Sequence, residues 1–346
     1  MVAVVPLQPG APIRELETRD TERIRREVLG GAEPVVLRGL VSDWPAVAAG
    51  RTSAGALLEY LRSFDSGRLV DAIMTPPEVA GRIFYREGLE GFNFVRNRLP
   101  LSAIAEQALR YAGHAHAPAV AVQSAPIRDC LPGLAEANPL PVADASAQPR
   151  IWLGNAVTTP THLDEWFNIG CVVSGRRRFT LFPPEQICNL YVGPLDYAPT
   201  GAPMSLVQLH APDLARFPRF RAALAAARSA ELAPGDALFI PPLWWHNVES
   251  LDSLNVLVNY WWHASGAALG SDSGYDSLRH AILNIRQLPA PARAAWRALF
   301  EHFVFGEPQD VIGHIPPHRQ GLLGKLTPAE IERLREQLAQ RLKTAK

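Results

Sequence analysis

At 346 residues and 47% hydrophobic side chains, the chain has the size and texture of a soluble globule with one large domain and an appendage, or with two domains. Lys+Arg and Asp+Glu balance at 34 each, so the global field gives no basis for a nucleic-acid or anionic-membrane partner. Three scattered cysteines, Cys130, Cys171 and Cys188, exclude a disulfide framework or a cysteine-built zinc site and fit a reducing, cytoplasmic setting.

The opening MVAVVPLQPGAP has no basic run and its apolar stretch is broken at Pro6, so it predicts neither a secretory signal nor a membrane span. Apolar and charged residues from about 13 to 30 alternate at helical spacing, with Thr18 or Asp20 as a cap and Gly30-Gly31 as a stop, which predicts a surface helix. PVVLRGL predicts a strand, Trp44-Pro45 a turn, and Ser53 to Phe64 a second helix. Short strands are expected between Leu69 and Phe94, then a helix over Leu99 to Ala112 capped by Ser102, then a strand in VAVQSAPI.

From Ile151 the pattern changes to short strands separated by turns: IWLGN, His162 to Val173, and Arg177 to Phe182 beyond the tight turn Ser174-Gly175. Arg216 to Ala230 reads as helical, and strands return at Ala237 to Pro241, Trp244 to Glu249 and Ser253 to Trp262. Such strands predict a barrel or sandwich of antiparallel sheets. From Tyr275 the periodicity is helical, and the last helix opens on Thr327-Pro328 with Glu330 at capping-box spacing. Its stripe of Ile331, Leu334, Leu338 and Leu342 fits packing on the chain's own barrel or a homodimer through the C-terminal helices.

Chemistry concentrates in TPTHLDEWFN and PPLWWHNVES. His162 and Asp164 are two apart, so on a strand they share a face and can hold one side of a metal ion; a polar pair facing solvent is the plainer alternative. His246 is a third ligand if its strand lies beside that of His162. Two imidazoles and one carboxylate cap one face of an Fe(II) ion and leave positions open for substrate. Arg177 offers a planar, permanently charged fork to a carboxylate. If it points inward, Phe179 and Leu181 share its face while Arg176 and Arg178 point out.

The ordered set THLDEWFN, SGRRRFTLFPPEQ, LAPGDALFIPPLWWHNVES and NVLVNYWW, between Ala119 and Trp262, resembles the JmjC and cupin-like family of Fe(II)- and 2-oxoglutarate-dependent oxygenases, nearest to its asparaginyl hydroxylases. The resemblance implies a mainly β fold: a double-stranded β-helix, or jelly-roll barrel, flanked by N-terminal α/β elements and a C-terminal helical tail. It divides the chain into a lead-in over 1–117, a barrel core over 118–265 and a helical region over 266–346. It also implies iron ligation by His162, Asp164 and His246, and a co-substrate pocket containing Thr159, Asn168, Asn259 and Trp261. Arg177 stands where the asparaginyl hydroxylases have a lysine, and no tyrosine occurs near VAVQSAP, where Gln123 is the available substitute. The implied reaction consumes dioxygen and 2-oxoglutarate, releases succinate and carbon dioxide, and hydroxylates a protein or peptide side chain. An N-methyl demethylase, a small-molecule hydroxylase and a non-catalytic cupin-type binding protein are the alternatives.

Overall fold

The computed structural model describes residues 10–114, 116–199, 201–263 and 274–344. The strands in chain order are β1 (Ala11–Pro12), β2 (Arg14–Leu16), β3 (Val35–Leu37), β4 (Leu69–Thr75), β5 (Val95–Pro100), β6 (Ala119–Pro126) and β7 (Gln148–Gly154). They continue with β8 (Thr158–Leu163), β9 (Phe167–Ser174), β10 (Arg177–Phe182), β11 (Arg228–Leu232), β12 (Ala237–Ile240), β13 (Trp245–Ser250) and β14 (Asn255–Trp262). A five-stranded sheet has the order β1-β11-β10-β13-β8, and a nine-stranded sheet the order β2-β3-β12-β9-β14-β7-β6-β4-β5. The chain switches sheets at nearly every turn after β8, the winding of a jelly roll.

Alternation along the central strands explains why they read as continuous apolar runs. On β9, Ile169, Cys171 and Val173 face a core shared with Val47, Leu57, Leu61 and Ile104 of the N-terminal helices Pro45–Thr52, Ala54–Arg62 and Leu101–Ala112. The intervening Val172 faces the other way, into a second core with Leu257 of β14 and with Phe179 and Leu181 of β10 across the sandwich. The larger sheet is thus apolar on both faces. The smaller one is apolar inside and, on its outer side, partly covered by residues 183–227, whose Phe220 and Leu224 pack on Phe182 and Trp245.

Three expectations need correction. Ile13 and Leu16 lie in a stretch of edge strands, β1 and β2 joined at Ile13, that adds in parallel to β11 and β3; the helix begins only at Thr21, with the Asp20 carboxylate accepting from the Glu22 and Arg23 amides. The helix at Leu101–Ala112 is not capped by Ser102; the Asp65 carboxylate, distant in sequence, takes the Ser102 N–H. Helix Phe220–Ala226 is shorter than expected because Arg228–Leu232 pairs with β10 as β11: sheet pairing overrides the helical tendency of an alanine- and arginine-rich stretch.

The chain divides into two compact units, residues 1–264 and 265–346. The second is helical, with Gly274–Ile285, Ala290–Phe303 and Pro328–Thr344 as its longer helices. The capping box is formed: the Thr327 N–H donates to the Glu330 carboxylate at 2.8 Å. Among the described residues no helix is long and apolar enough to cross a membrane.

Candidate metal centre

β8 and β13 are antiparallel neighbours with His246 opposite His162, so their imidazoles lie side by side, ring centroids 4.2 Å apart. Asp164 follows just beyond the end of β8, its Oδ2 3.5 Å from His246 Nε2. One ligand atom from each of the three residues can be chosen with all three within 4.8 Å of one another. His162 and His246 are buried, 8% and 4% exposed, inside the mouth of the sandwich.

The imidazoles are preset for ligation. His162 Nδ1 lies 2.8 Å from the Pro160 carbonyl and His246 Nδ1 lies 3.0 Å from the Trp244 carbonyl. A carbonyl only accepts, so each Nδ1 carries a proton, and each Nε2 is left as the ring atom that a metal would take. Burial, reinforced by the neighbouring His246, pushes the His162 imidazole down to about 4, keeping it in the neutral form a metal needs. For Asp164 burial acts upward, but the His246 hydrogen bond and the nearby imidazoles prevail and leave the carboxyl below its ordinary value. Two imidazoles with their Nδ1 protons fixed and one carboxylate fit a hard-to-borderline divalent ion such as Fe(II).

The same recess contains Thr159, Asn168, Arg177, Asn259 and Trp261, the set expected from the residues and the family resemblance. Arg177 is 8% exposed, its Nε is buried without an acceptor, and it has no carboxylate partner among the described residues. Burial alone lowers its guanidinium to about 10, still fully charged at neutral pH. Trp261 Nε1 is a second buried donor without an acceptor. Buried polar groups are nearly always satisfied, so two orphan donors in one recess are groups that an acceptor-rich, anionic ligand would complete. As alternation requires, Phe179 and Leu181 share the inner face with Arg177, while Arg176 and Arg178 are held outside by Asp252 and by Glu231 and Glu249.

Two features escaped sequence reasoning. Thr159 and His162 are three apart, which on a regular strand would put them on opposite faces. A β-bulge between the His246 and Val248 pairs sets Pro160 and Thr161 against Asn247 and turns both Thr159 and His162 inward. The other is Trp152, whose Nε1 donates to Asn259 Oδ1 at 2.8 Å, while Asn259 Nδ2 donates to Asn168 Oδ1 at 3.2 Å. This relay fixes both amides; only the alternation of IWLGN hinted that Trp152 faces inward. Gln123 does not line the recess. It sits on β6 at an irregularity where Gln123 and Ser124 lie between the Leu153 and Ile151 pairings.

A family model for the cupin-like domain matches residues 21–268. The chain belongs to the cupin-like domain family. Three curated relatives illustrate its neighbourhood. Human HSPB1-associated protein 1 is 42% identical over 113 residues, 32% of this chain and 22% of that protein. Lysine-specific demethylase JMJ31 of Arabidopsis thaliana is 38% identical over 117 residues, 34% of this chain and 21% of the relative. Lysine-specific demethylase 8 of Danio rerio is 27% identical over 263 residues, 74% of this chain and 59% of the relative. The matched parts of this cupin-like chain thus span from about a fifth to three fifths of these relatives' lengths.

Proposed function

We propose that the protein is an Fe(II)- and 2-oxoglutarate-dependent oxygenase that hydroxylates a protein side chain. The observation that carries this reading is the coexistence, in one recess, of three convergent metal-capable side chains and a buried guanidinium with no counter-charge among the described residues. His162, Asp164 and His246 would hold the ion by one face; Arg177, with Thr159, would receive the far carboxylate of the oxoacid; Asn168, Asn259 and Trp261 would line the space between. When bound, iron and the oxoacid would supply the electrons that activate dioxygen, which by itself attacks C–H bonds too slowly. The chain's own part is to bind, orient and exclude water. The Pro160 and Trp244 carbonyls hold the imidazole tautomers, the Trp152–Asn259–Asn168 relay holds the amides, and Phe179, Ile240 and Leu257 keep the recess apolar between its polar ends.

Two relatives are named lysine-specific demethylases, which favours a second reading on the same machinery: hydroxylation of an N-methyl group, with loss of formaldehyde. The asparaginyl-hydroxylase likeness and the demethylase relatives are separated by product. Iron-loaded protein with 2-oxoglutarate and candidate peptides is expected to form succinate; a peptide mass increase of one oxygen identifies a hydroxylase, and formaldehyde a demethylase. A small-molecule hydroxylase would turn over with no peptide present. No succinate under any of these conditions, and no new absorption when 2-oxoglutarate is added anaerobically to the iron form, would leave the non-catalytic cupin-type binding protein. Three free thiols, two of them buried, support a cytoplasmic setting, and the exposed Leu338 and Leu342 of the last helix support a homodimer through the C-terminal unit.

A further inference from the structure

The outer face of the five-stranded sheet carries a second, roomier cavity, of about 530 Å³. Its floor is the reverse side of the metal-bearing strands: Pro160 of β8, Asn247 of β13 and Thr180 of β10 point outward where Thr159, His246 and Phe179 point in. The insert over 183–227 packs apolar side chains against part of this face, and the cavity beside it is lined by His210 of that insert and by Arg82.

The charges here are unequal in freedom. Arg178 is tied to both Glu231 and Glu249, at 2.5 and 2.9 Å, one cation between two carboxylates, so the Glu249 end of the lining is acidic and the free cationic end is elsewhere. Arg82, half-buried, has no carboxylate partner among the described residues. The field of that unpaired guanidinium reaches His210: partial burial, and then the Arg82 charge, hold its imidazole below the ordinary value against the opposing pull of Glu249. Asn247 and Thr180, 6% and 3% exposed, bring an amide and a hydroxyl to the floor. A half-buried, unpaired guanidinium above buried neutral polar groups is the complement of an oxyanion, and the volume suits a small metabolite rather than a lone ion.

We propose that this cavity is a separate binding site for a small organic oxyanion, a carboxylate or phosphate ester bearing hydroxyl groups, held by Arg82 and completed by His210, Asn247 and Thr180. An occupant would rest against the bulge from behind. Asn247 Nδ2 donates to the Thr159 carbonyl at 3.1 Å, and the Pro160 carbonyl holds His162 Nδ1, so the cavity floor and the metal centre share backbone.

The test needs no metal and so does not depend on the oxygenase reading. Metal-free protein is titrated calorimetrically with glycerol 3-phosphate and, separately, with malate. Saturable binding of either at one site per chain is expected, and the tighter of the two identifies the oxyanion. Arg82→Ala should weaken it on the order of tenfold or more, while Arg177→Ala, on the opposite face, should leave it unchanged. If Arg82→Ala does not fold, His210→Ala at an exposed position is expected to weaken binding about threefold. Failure of both probes to saturate, or binding that vanishes in Arg177→Ala and persists in Arg82→Ala, overturns the proposal.

Discussion

Replacing Arg177 by methionine should move stability and ligand affinity in opposite directions. In the ligand-free protein the guanidinium is buried without a counter-charge among the described residues, and burial lowers it from its ordinary value to about 10. A displacement of that size corresponds to about 3 kcal/mol of cost for keeping the charge. Methionine is of similar length, apolar and adaptable, so Arg177→Met should raise the unfolding free energy of metal-free protein by roughly 1–3 kcal/mol. The far carboxylate of 2-oxoglutarate would then enter the recess with no partner, a loss of roughly 2–5 kcal/mol, or about thirtyfold to several thousandfold in dissociation constant. Pyruvate has the same oxoacid end and no far carboxylate, so its affinity should be nearly unchanged. Urea denaturation of the metal-free protein and anaerobic calorimetry of the iron form with both acids read the two effects. Loss of several kcal/mol of stability, or equal weakening of 2-oxoglutarate and pyruvate, would show that Arg177 is a structural cation and not a carboxylate receptor.

Other substitutions test the scaffold. Trp152→Phe removes the donor to Asn259 Oδ1 and leaves a buried acceptor unsatisfied, which should cost about 1–3 kcal/mol in urea midpoint terms. Unaltered stability there would mean that water replaces the indole. Gly175→Ala meets a positive φ of 71° and places a Cβ 2.4 Å from the Leu254 carbonyl oxygen, so a loss of at least about 1–3 kcal/mol is expected by thermal unfolding. Gly113→Ala, at an ordinary φ of −87° with nothing within 4 Å, is the control and should be neutral or mildly stabilising. For pH, the His162 imidazole titrates near 6.5 when unfolded and at about 4 when buried beside His246. The unfolded chain therefore binds more protons between those values, and metal-free protein should lose stability as pH falls from 6.5 toward 4. A His162→Gln variant should flatten that window; a flat profile in the parent protein would contradict the assignment.

The barrel was legible because its strands alternate against turns of distinctive chemistry. Ser174-Gly175 predicts the β9–β10 turn, and Phe179 and Leu181 predict the inner face that Arg177 shares. What escaped had non-local causes. β11 was hidden because an alanine-rich stretch carries no strand propensity, and only β10 and β1, lying beside it in space, make it a strand. Ser102 was a reasonable local cap, but Asp65, 37 residues away, already satisfies its amide. Trp152 lay unremarked because a tryptophan in a strand reads as core until its indole N–H is seen to have one specific acceptor.

The bulge in β8 ties these observations together. Without it, His162 facing inward would force Thr159 outward, and the recess would lose either a candidate metal ligand or a hydroxyl in the recess with Arg177. The extra residue is not free backbone: Asn247 holds the Thr159 carbonyl, and the Pro160 carbonyl holds His162 Nδ1, so the irregularity is bonded on both sides. Proline suits that position, because a residue displaced from ladder pairing has no partner for an N–H that proline lacks. Asn247→Leu should therefore leave His246 ligation chemically possible yet release the bulge. If the bulge places the metal ligand and the oxoacid hydroxyl together, iron and 2-oxoglutarate affinities should fall in the same variant, measured by metal analysis and anaerobic calorimetry. Retention of both affinities would mean that the sandwich core alone holds β8 in register.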